Sequence, residues 1–547
     1  MPARDLTDIV KAYDIRGLVP DELDAAAARA LGIAFAEVVA APQGATRVAI
    51  GRDMRASSPA LSGAFAGGVS AAGLEAVDIG LASTDGLYFA SGHLGVPGAM
   101  FTASHNPARY NGIKLTRAGA QPVGRDTGLE DVRRRAAELL AGAAEPARAP
   151  GARSETDVLA AYGGFLRSLV DLAGIRPLRV VVDAGNGMAG YTVPAVLEDR
   201  VGLPLLPLTI IPLYFDLDGT FPNHEANPLD PANLVDLQAA VRAHGADLGL
   251  AFDGDADRCF VVDEHGDPVS PSAITALVAV REIAREVAAG TPAAQVNVVH
   301  NVITSAVVPE VIRAHGAVPV RTRVGHSFIK AEMARADAVF GGEHSAHYYF
   351  RDFWYADTGM LAALHVLAEL GGQDQPLSVL VRDLSPYAAS GEINSTVADV
   401  GRATEAVRDW AAARGLATEE LDGLTVIGAA TEGEPMWWFN LRPSNTEPLL
   451  RLNVEAAEVP TMTRVRDEIL SIVRTPNEPE PPVADSPIAP WVRALLVCPA
   501  CHGALRDLTG ERGLELACTG ECGRIYPVTD GIPTMLVDQA RLPDDRA

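Results

Sequence analysis

The chain has 547 residues, 48% apolar and 21% charged; at about 150 residues per domain this supports roughly three to four cores and excludes a wholly disordered chain. Its 45 Lys+Arg against 70 Asp+Glu give a formal charge of −25, which repels polyphosphate and argues against general binding of nucleic acid or anionic membrane. A phosphate-bearing ligand therefore needs a local cationic cluster.

The first ten residues carry no signal-peptide core, and no uninterrupted apolar run reaches about 18 residues, so no membrane-spanning segment is expected. Four of the five cysteines lie in the last 50 residues, which favours a metal site in a reducing compartment over a disulfide framework. The expectation is a cytoplasmic protein.

In chain order, strand-like and helix-like stretches alternate. Residues 21–40 carry helical periodicity, and 47–51 (R-V-A-I-G) form a short apolar run ending in Gly. Further strand-like runs are L-R-V-V-V-D at 178–183 and D-L-G-L-A-F-D at 247–253, with helical character between them at 231–244. Such alternation predicts α/β domains with mixed or parallel sheets. No clean repeat stands out, although the three strand–turn units of similar character hint at related substructures. Two stretches read as linkers: 141–153, rich in Ala, Pro and Gly, and 476–490, with six prolines and the composition of a semi-rigid spacer. The following 57 residues, 491–547, are expected to form a separate small module.

Arginine dominates the basic residues: Lys11, Lys114 and Lys330 are the only lysines. A lysine kept in such a chain marks either a place that needs a compact, titratable ammonium or chance retention.

Four strings carry chemistry. T-A-S-H-N-P (102–107) presents Ser104, which suits a nucleophile, a helix cap or a plain turn. D-G-D-A-D-R (253–258) sets Asp253, Asp255 and Asp257 at alternate positions, where three carboxylates repel one another unless they converge on a hard cation such as Mg²⁺. An EF-hand is excluded because Arg258 stands where that loop needs Gly. G-E-H-S-A-H (342–347) offers Glu343 as acceptor and Ser345 as donor and acceptor to sugar hydroxyls. R-P-S-N-T-E (442–447) joins Arg442 to small hydroxyl and amide groups, as in a phosphate cradle or, equally, a helix N-cap. G-N-G-M-A-G (185–190) matches a dinucleotide fingerprint, but 201–213 has no acidic residue for the ribose, so the glycines read as a turn.

These four strings, in this order, resemble the α-D-phosphohexomutase family over nearly all of residues 5–470; together with V-G-H-S-F-I-K (324–330), the third looks most like the phosphomannomutase/phosphoglucomutase branch. The resemblance implies a four-domain α/β architecture, three mixed α/β domains and an α+β fourth, at 1–145, 154–253, 254–372 and 376–474. A linker (475–490) and a small zinc-ribbon-like module (491–547) follow. It further implies a phosphoserine at Ser104, and Mg²⁺ held by Asp253, Asp255 and Asp257 with Ser104. The sugar would be gripped by Glu343, Ser345 and His347 beside Tyr13 and Gly325, with its phosphate on Arg442, Ser444, Asn445 and Thr446. Hexose 6- and 1-phosphates, of mannose and/or glucose, would interconvert through a hexose 1,6-bisphosphate that also serves as activator. Arg16, His105 and Arg258 join the catalytic set. Lys114, its pKa lowered by Arg16 and Arg258, is expected to move the proton, with His326 and His347 as rivals. Lys11 and Lys330 fall in matching stretches as structural or supporting candidates. The region N-V-I-T-S (301–305) lacks the lysine that many members carry, and Arg321 or Arg323 are candidates to replace it. The alternatives are a phosphoglucosamine mutase, or a mutase-like scaffold that docks a partner through its C-terminal module.

In that module Cys498 and Cys501, then Cys518 and Cys522, form two close pairs 16 residues apart, a spacing for tetrahedral zinc that would staple so small a unit. The strings around them (495–501 and 524–536) resemble the Trm112-like zinc-ribbon family, which implies a protein partner. Cys259, beside the acidic loop, is expected in the core.

Overall fold

The computed structural model describes residues 6–428, 435–444 and 449–474, then 488, 493, 496–501, 503–510, 513–520, 522–529 and 532–542. Met1–Thr396 with Val400–Leu470 form one unit; Val397–Asp399 with Ser471–Ala547 form a second.

Three sheets of the first unit share one strand plan. In each, two parallel strands are flanked by a third parallel strand that turns back as an antiparallel neighbour. In the first sheet Arg47–Arg52 pairs in parallel with Glu75–Leu81 and Gly98–Phe101, and the latter meets Tyr110–Arg117 antiparallel. In the second, Leu178–Asp183 lies between Leu208–Leu213 and Leu248–Phe252, followed by antiparallel Cys259–Val262. In the third, Asn297–Asn301 lies between Val318–Thr322 and Phe340–Gly342, followed by antiparallel Tyr348–Phe350. The relation lies between whole sheets and not between the three runs that hinted at it, since 178–183 and 247–253 are neighbouring strands of the second sheet. The central strands are covered on both faces and read as unbroken apolar runs: every residue of Leu248–Phe252 is buried.

Two expected boundaries move. Residues 141–153 were expected to separate the first two domains, but Arg153–Glu155 pairs with Glu75–Leu81 and extends the first sheet. The third domain was expected from 254, yet Cys259–Val262 and Pro268–Val269 complete the second sheet. The acidic string is therefore a hairpin turn inside one sheet. Hydrophobic runs mark strands but not their partners, so neither pairing could be seen in advance.

Asp24 caps the helix Ala25–Phe35 by accepting from the Ala27 N–H. That helix crosses Ser58–Ala71 at two glycines: a Cβ on Gly32 would stand 2.3 Å from the Phe65 carbonyl oxygen, and one on Gly68 2.1 Å from that of Arg29. The helical stretch Ala25–Gln43 is long and apolar enough to cross a membrane by length and composition, but most of it is buried within the fold, as in the core helix of a globular domain. The fourth sheet is wholly antiparallel, in the order Ala388–Thr396, Leu449–Ala456, Trp437–Pro443, Leu424–Gly428, Ala417–Glu419. Trp410 of the helix Val400–Ala413 packs against Trp437 and Phe439. The second unit contains the antiparallel strands Leu505–Gly510, Gly513–Cys518, Ile525–Thr529 and Ile532–Pro533.

Asp85, fully buried in the first turn of helix Thr84–Leu94, ties three domains together. It accepts from Ser83, from the Tyr162 hydroxyl at 2.8 Å and from the Thr358 hydroxyl at 2.7 Å. Burial pushes its pKa up to about 6, against the pull of these donors. The folded chain therefore keeps a proton that the unfolded chain loses near pH 4, so stability from this group falls as pH rises from about 4 through 6. Thermal melting of the wild type minus Asp85→Asn across pH 4.5–7.5 is expected to show that slope, on the order of 2–3 kcal/mol in total; parallel profiles would refute it.

Candidate active site

The same connection in each of the three related sheets, from the third parallel strand to its antiparallel neighbour, carries one of the chemical strings. These loops leave the carboxyl ends of parallel strands, the usual ligand-facing edge of such sheets. Each holds a non-glycine residue in the left-handed region: Ser104 at φ 49°, Ala256 at 59°, Ala346 at 63°. Backbone strain of this kind persists where surrounding contacts over-determine it. Arg258 and His347 also form a backbone bridge between the second and third loops.

Ser104 donates its hydroxyl to Asp253 Oδ2 at 2.8 Å, across 149 residues of sequence. The loops can approach because Gly254 has no side chain: a Cβ there would lie 2.4 Å from the Ser104 carbonyl oxygen. Gly187 of the G-N-G-M-A-G turn in turn lies against Gly254, a structural use for the false dinucleotide motif. Ligand atoms of Asp253, Asp255 and Asp257 all fall within 4.8 Å of one another. Asp255 Oδ1 and Asp257 Oδ1 are buried with no hydrogen-bond partner among the described residues. Unsatisfied buried carboxylate oxygens facing one point fit a hard cation. Burial raises Asp253 to about 7 despite the Arg258 guanidinium at 2.9 Å.

Lys114 meets carboxylates. Its ammonium lies 2.7 Å from Asp255 and 2.6 Å from Asp257. Burial disfavours its charge, yet these two carboxylates outweigh that and push its pKa well above the lysine value, where Arg16 and Arg258 were expected to lower it. His105 is neutral, lowered to about 3 by burial and then by Arg258 and Arg16. Its Nδ1 lies 3.3 Å from Ser104 Oγ but already accepts from Arg258 at 2.7 Å. Arg16 donates to Asn106 of the serine loop and to Asp14.

In the third loop, Glu343 is buried and faces inward. It accepts from Asn301 Nδ2 at 3.1 Å, the Gly325 N–H at 3.2 Å and the Tyr349 hydroxyl at 2.6 Å. Three of about four acceptor positions are thus used by the protein. Ser345 Oγ meets His347 Nδ1 at 2.9 Å, and His347 Nε2 lies 3.8 Å from Asp257. Tyr13 packs edge-on against His326, whose pKa burial, then Lys330, lowers to about 3. Lys330 is a buried structural cation, 2.6 Å from Asp357 and 4.0 Å over the Tyr88 ring. Lys11 donates to the Asp8 carbonyl on the surface. Of the two suggested substitutes for the missing lysine, Arg321 pairs with Glu419, whereas Arg323 lies over Phe328 beside Tyr13.

Arg442 stands on the strand Trp437–Pro443 and is paired with Glu392. The Ser444 N–H donates to the Leu449 carbonyl; Asn445 and Thr446 lie outside the described residues. In the second unit the four cysteines are free thiols, with Sγ–Sγ distances of 3.3–3.4 Å for three pairs and all four ligand atoms within 4.8 Å. Bonds of about 2.3 Å to one zinc would place sulfurs roughly 3.8 Å apart, so the cluster fits a metal. Cys259 is buried in the core, as expected.

Family models decide the relationship. The phosphoglucomutase/phosphomannomutase α/β/α domains I, II and III match residues 7–139, 161–266 and 271–387, and that family's C-terminal domain matches 392–472. The chain belongs to the phosphoglucomutase/phosphomannomutase family. A Trm112p-like model matches 494–531. The mutase region is 40% identical to a phosphomannomutase of Salmonella montevideo over 470 residues, 85% of this chain and 98% of that one. It is 42% identical to the phosphohexose mutases of Xanthomonas campestris pv. campestris, covering 84% and 98%. Among solved structures, a phosphoglucomutase/phosphomannomutase family protein of Burkholderia thailandensis superposes with a TM-score of 0.74 at 30% identity, covering 85% of this chain and 97% of that one.

Sequence reasoning about this phosphohexomutase missed two residues that shape the site. Arg55 is 1% exposed, and its guanidinium holds the serine loop by its carbonyls. Asn301 orients Glu343 and was noticed only for not being lysine. The string G-R-D-M-R (51–55) after a strand was the available signal for Arg55: a charged pair at a strand end that buries rather than solvates.

Proposed function

We propose that the chain interconverts hexose 6-phosphate and hexose 1-phosphate, with mannose or glucose as the sugar, through phosphoserine at Ser104. The contact between Ser104 Oγ and Asp253 carries this reading, because it sets a serine hydroxyl against the carboxylate cluster. Mg²⁺ held by Asp253, Asp255 and Asp257 beside Ser104 would neutralise the oxygens of the transferred phosphoryl group and stabilise a loose transition state.

Transfer breaks the bond from phosphorus to Ser104 Oγ and forms one to the sugar oxygen, whose proton must leave. His347 receives it in this proposal, in preference to Lys114: it reaches the carboxylate cluster from the sugar loop and is partly exposed, while Lys114 is held by two carboxylates. Arg258 keeps the Asp253 carboxylate in place and His105 neutral. Ser345 and the remaining acceptor position of Glu343 bind ring hydroxyls, and Arg442, with Ser444, Asn445 and Thr446, binds the non-reacting phosphate. The 1,6-bisphosphate then turns over, so that its other phosphate faces Ser104. Both orientations must fit one pocket, which demands nearly symmetric recognition of the sugar face. The four C-terminal cysteines hold structural zinc.

The test is conversion of mannose 1-phosphate and of glucose 1-phosphate by the purified full chain with Mg²⁺ and a trace of glucose 1,6-bisphosphate. Turnover is expected on at least one sugar. Chelation should lower it by about 100-fold or more, with recovery on adding Mg²⁺; one zinc per chain is expected by metal analysis. No turnover on either sugar overturns the reading.

A further inference from the structure

The cation of the phosphate cradle is already shared with a carboxylate. Arg442 and Arg451 are directly opposed on antiparallel strands, an arrangement in which like charges repel. Glu392 lies between their tips: Oε2 accepts from Arg442 Nη2 at 2.6 Å and Oε1 from Arg451 Nη1 at 3.2 Å. A register shift in the pairing of Ala388–Thr396 with Leu449–Ala456, between Ala389 and Glu392 beside left-handed Gly391, delivers it there. Bulges of this kind re-aim a side chain at the edge of a site. His344 of the sugar loop and Gly391, next to Glu392, line one cavity.

We propose that Glu392 is a positioning residue that sets how tightly the cradle holds phosphate. The inference rests on Arg442 being the phosphate ligand, as proposed above. Two guanidiniums without Glu392 present two positive charges to the anion; with it they present one. A bisphosphate that must leave the cradle and return by its other end turns over only if neither phosphate is held too long. Glu392 therefore trades affinity for release: it competes with phosphate for Arg442 while keeping the two arginines from splaying apart.

Glu392→Gln keeps the shape and an acceptor oxygen but removes the charge. Equilibrium binding of inorganic phosphate and of glucose 1,6-bisphosphate to the full chain is expected to tighten by about three- to tenfold. KM for the hexose phosphate should fall, and kcat should fall with it. Glu392→Asp retains the charge and is expected to stay near wild type in all three quantities. Unchanged or weaker phosphate binding in Glu392→Gln, the result for a merely structural brace, overturns the proposal. Arg442→Gln provides the independent control: loss of phosphate binding there upholds the cradle, whereas undiminished binding refutes the cradle assignment itself.

Discussion

Ser104→Ala is expected to abolish mutase turnover, by about 10⁴-fold or more, while hexose 6-phosphate binds within a small factor of wild type. The reason is geometric. The Ser104 hydroxyl lies against Asp253 at 2.8 Å, and the nearest alternative hydroxyl at the cluster, that of Thr84, is buried and donates to Asp255 at 2.6 Å. Binding should survive because the ring and phosphate contacts belong to other loops. The two measurements are interconversion rate and equilibrium binding of the sugar phosphate; wild-type turnover in the alanine variant would remove Ser104 from the mechanism.

The second large effect concerns a residue that never touches substrate. All five N–H groups of the Arg55 guanidinium are used: Nη2 donates to the Ser104 and Asn106 carbonyls at 2.8 and 2.7 Å, Nη1 to those of Pro107 and Tyr110 at 3.0 Å each, and Nε to Asp53 at 3.1 Å. The planar fork thus holds the strained serine loop by four backbone oxygens, with Asp53 balancing the buried charge. Arg55→Met strips the loop carbonyls of their side-chain donors and leaves the buried Asp53, still held by the Ser58 hydroxyl and the residue-55 N–H, without its counter-charge, at a cost of about 3–5 kcal/mol. A loop displaced by about 1 Å loses roughly 100-fold in rate, so kcat/KM should fall at least that far in whatever fraction stays folded. Arg55→Lys should rescue little, having three donors on a flexible stem. Denaturant unfolding and steady-state kinetics on the same preparations check both effects; a folded methionine variant with wild-type kcat/KM refutes the positioning role.

These two residues mark where sequence reasoning succeeds and where it stops. The three aspartates share one short string and Ser104 stands in another of recognisable composition, so these candidates show in the order of letters even though Ser104 meets Asp253 only across 149 residues. Arg55 acts on carbonyl groups 49 to 55 residues away, and backbone carbonyls leave no trace in composition. The carboxylate contacts of Lys114 were missed for a related reason. Arg16, Arg258 and the carboxylates that take its ammonium all lie far from it in sequence, the carboxylates over 140 residues distant, so which of them it meets is decided only by folding. The same holds for Glu392, whose meeting with Arg442 depends on a register shift in one strand.

Read alone, the string of residues was sufficient for the alternation of strand and helix, for the four reactive motifs in order and for the thiol-rich tail, because burial periodicity and local turn chemistry are properties of neighbours. Folding settled the rest: which sheet owns the acidic hairpin, which cation each carboxylate meets, and that three loops from matching positions converge on one centre. Those outcomes follow from strand pairing and from close approach at Gly254 and Gly187, contacts between segments that the chain brings together only in three dimensions.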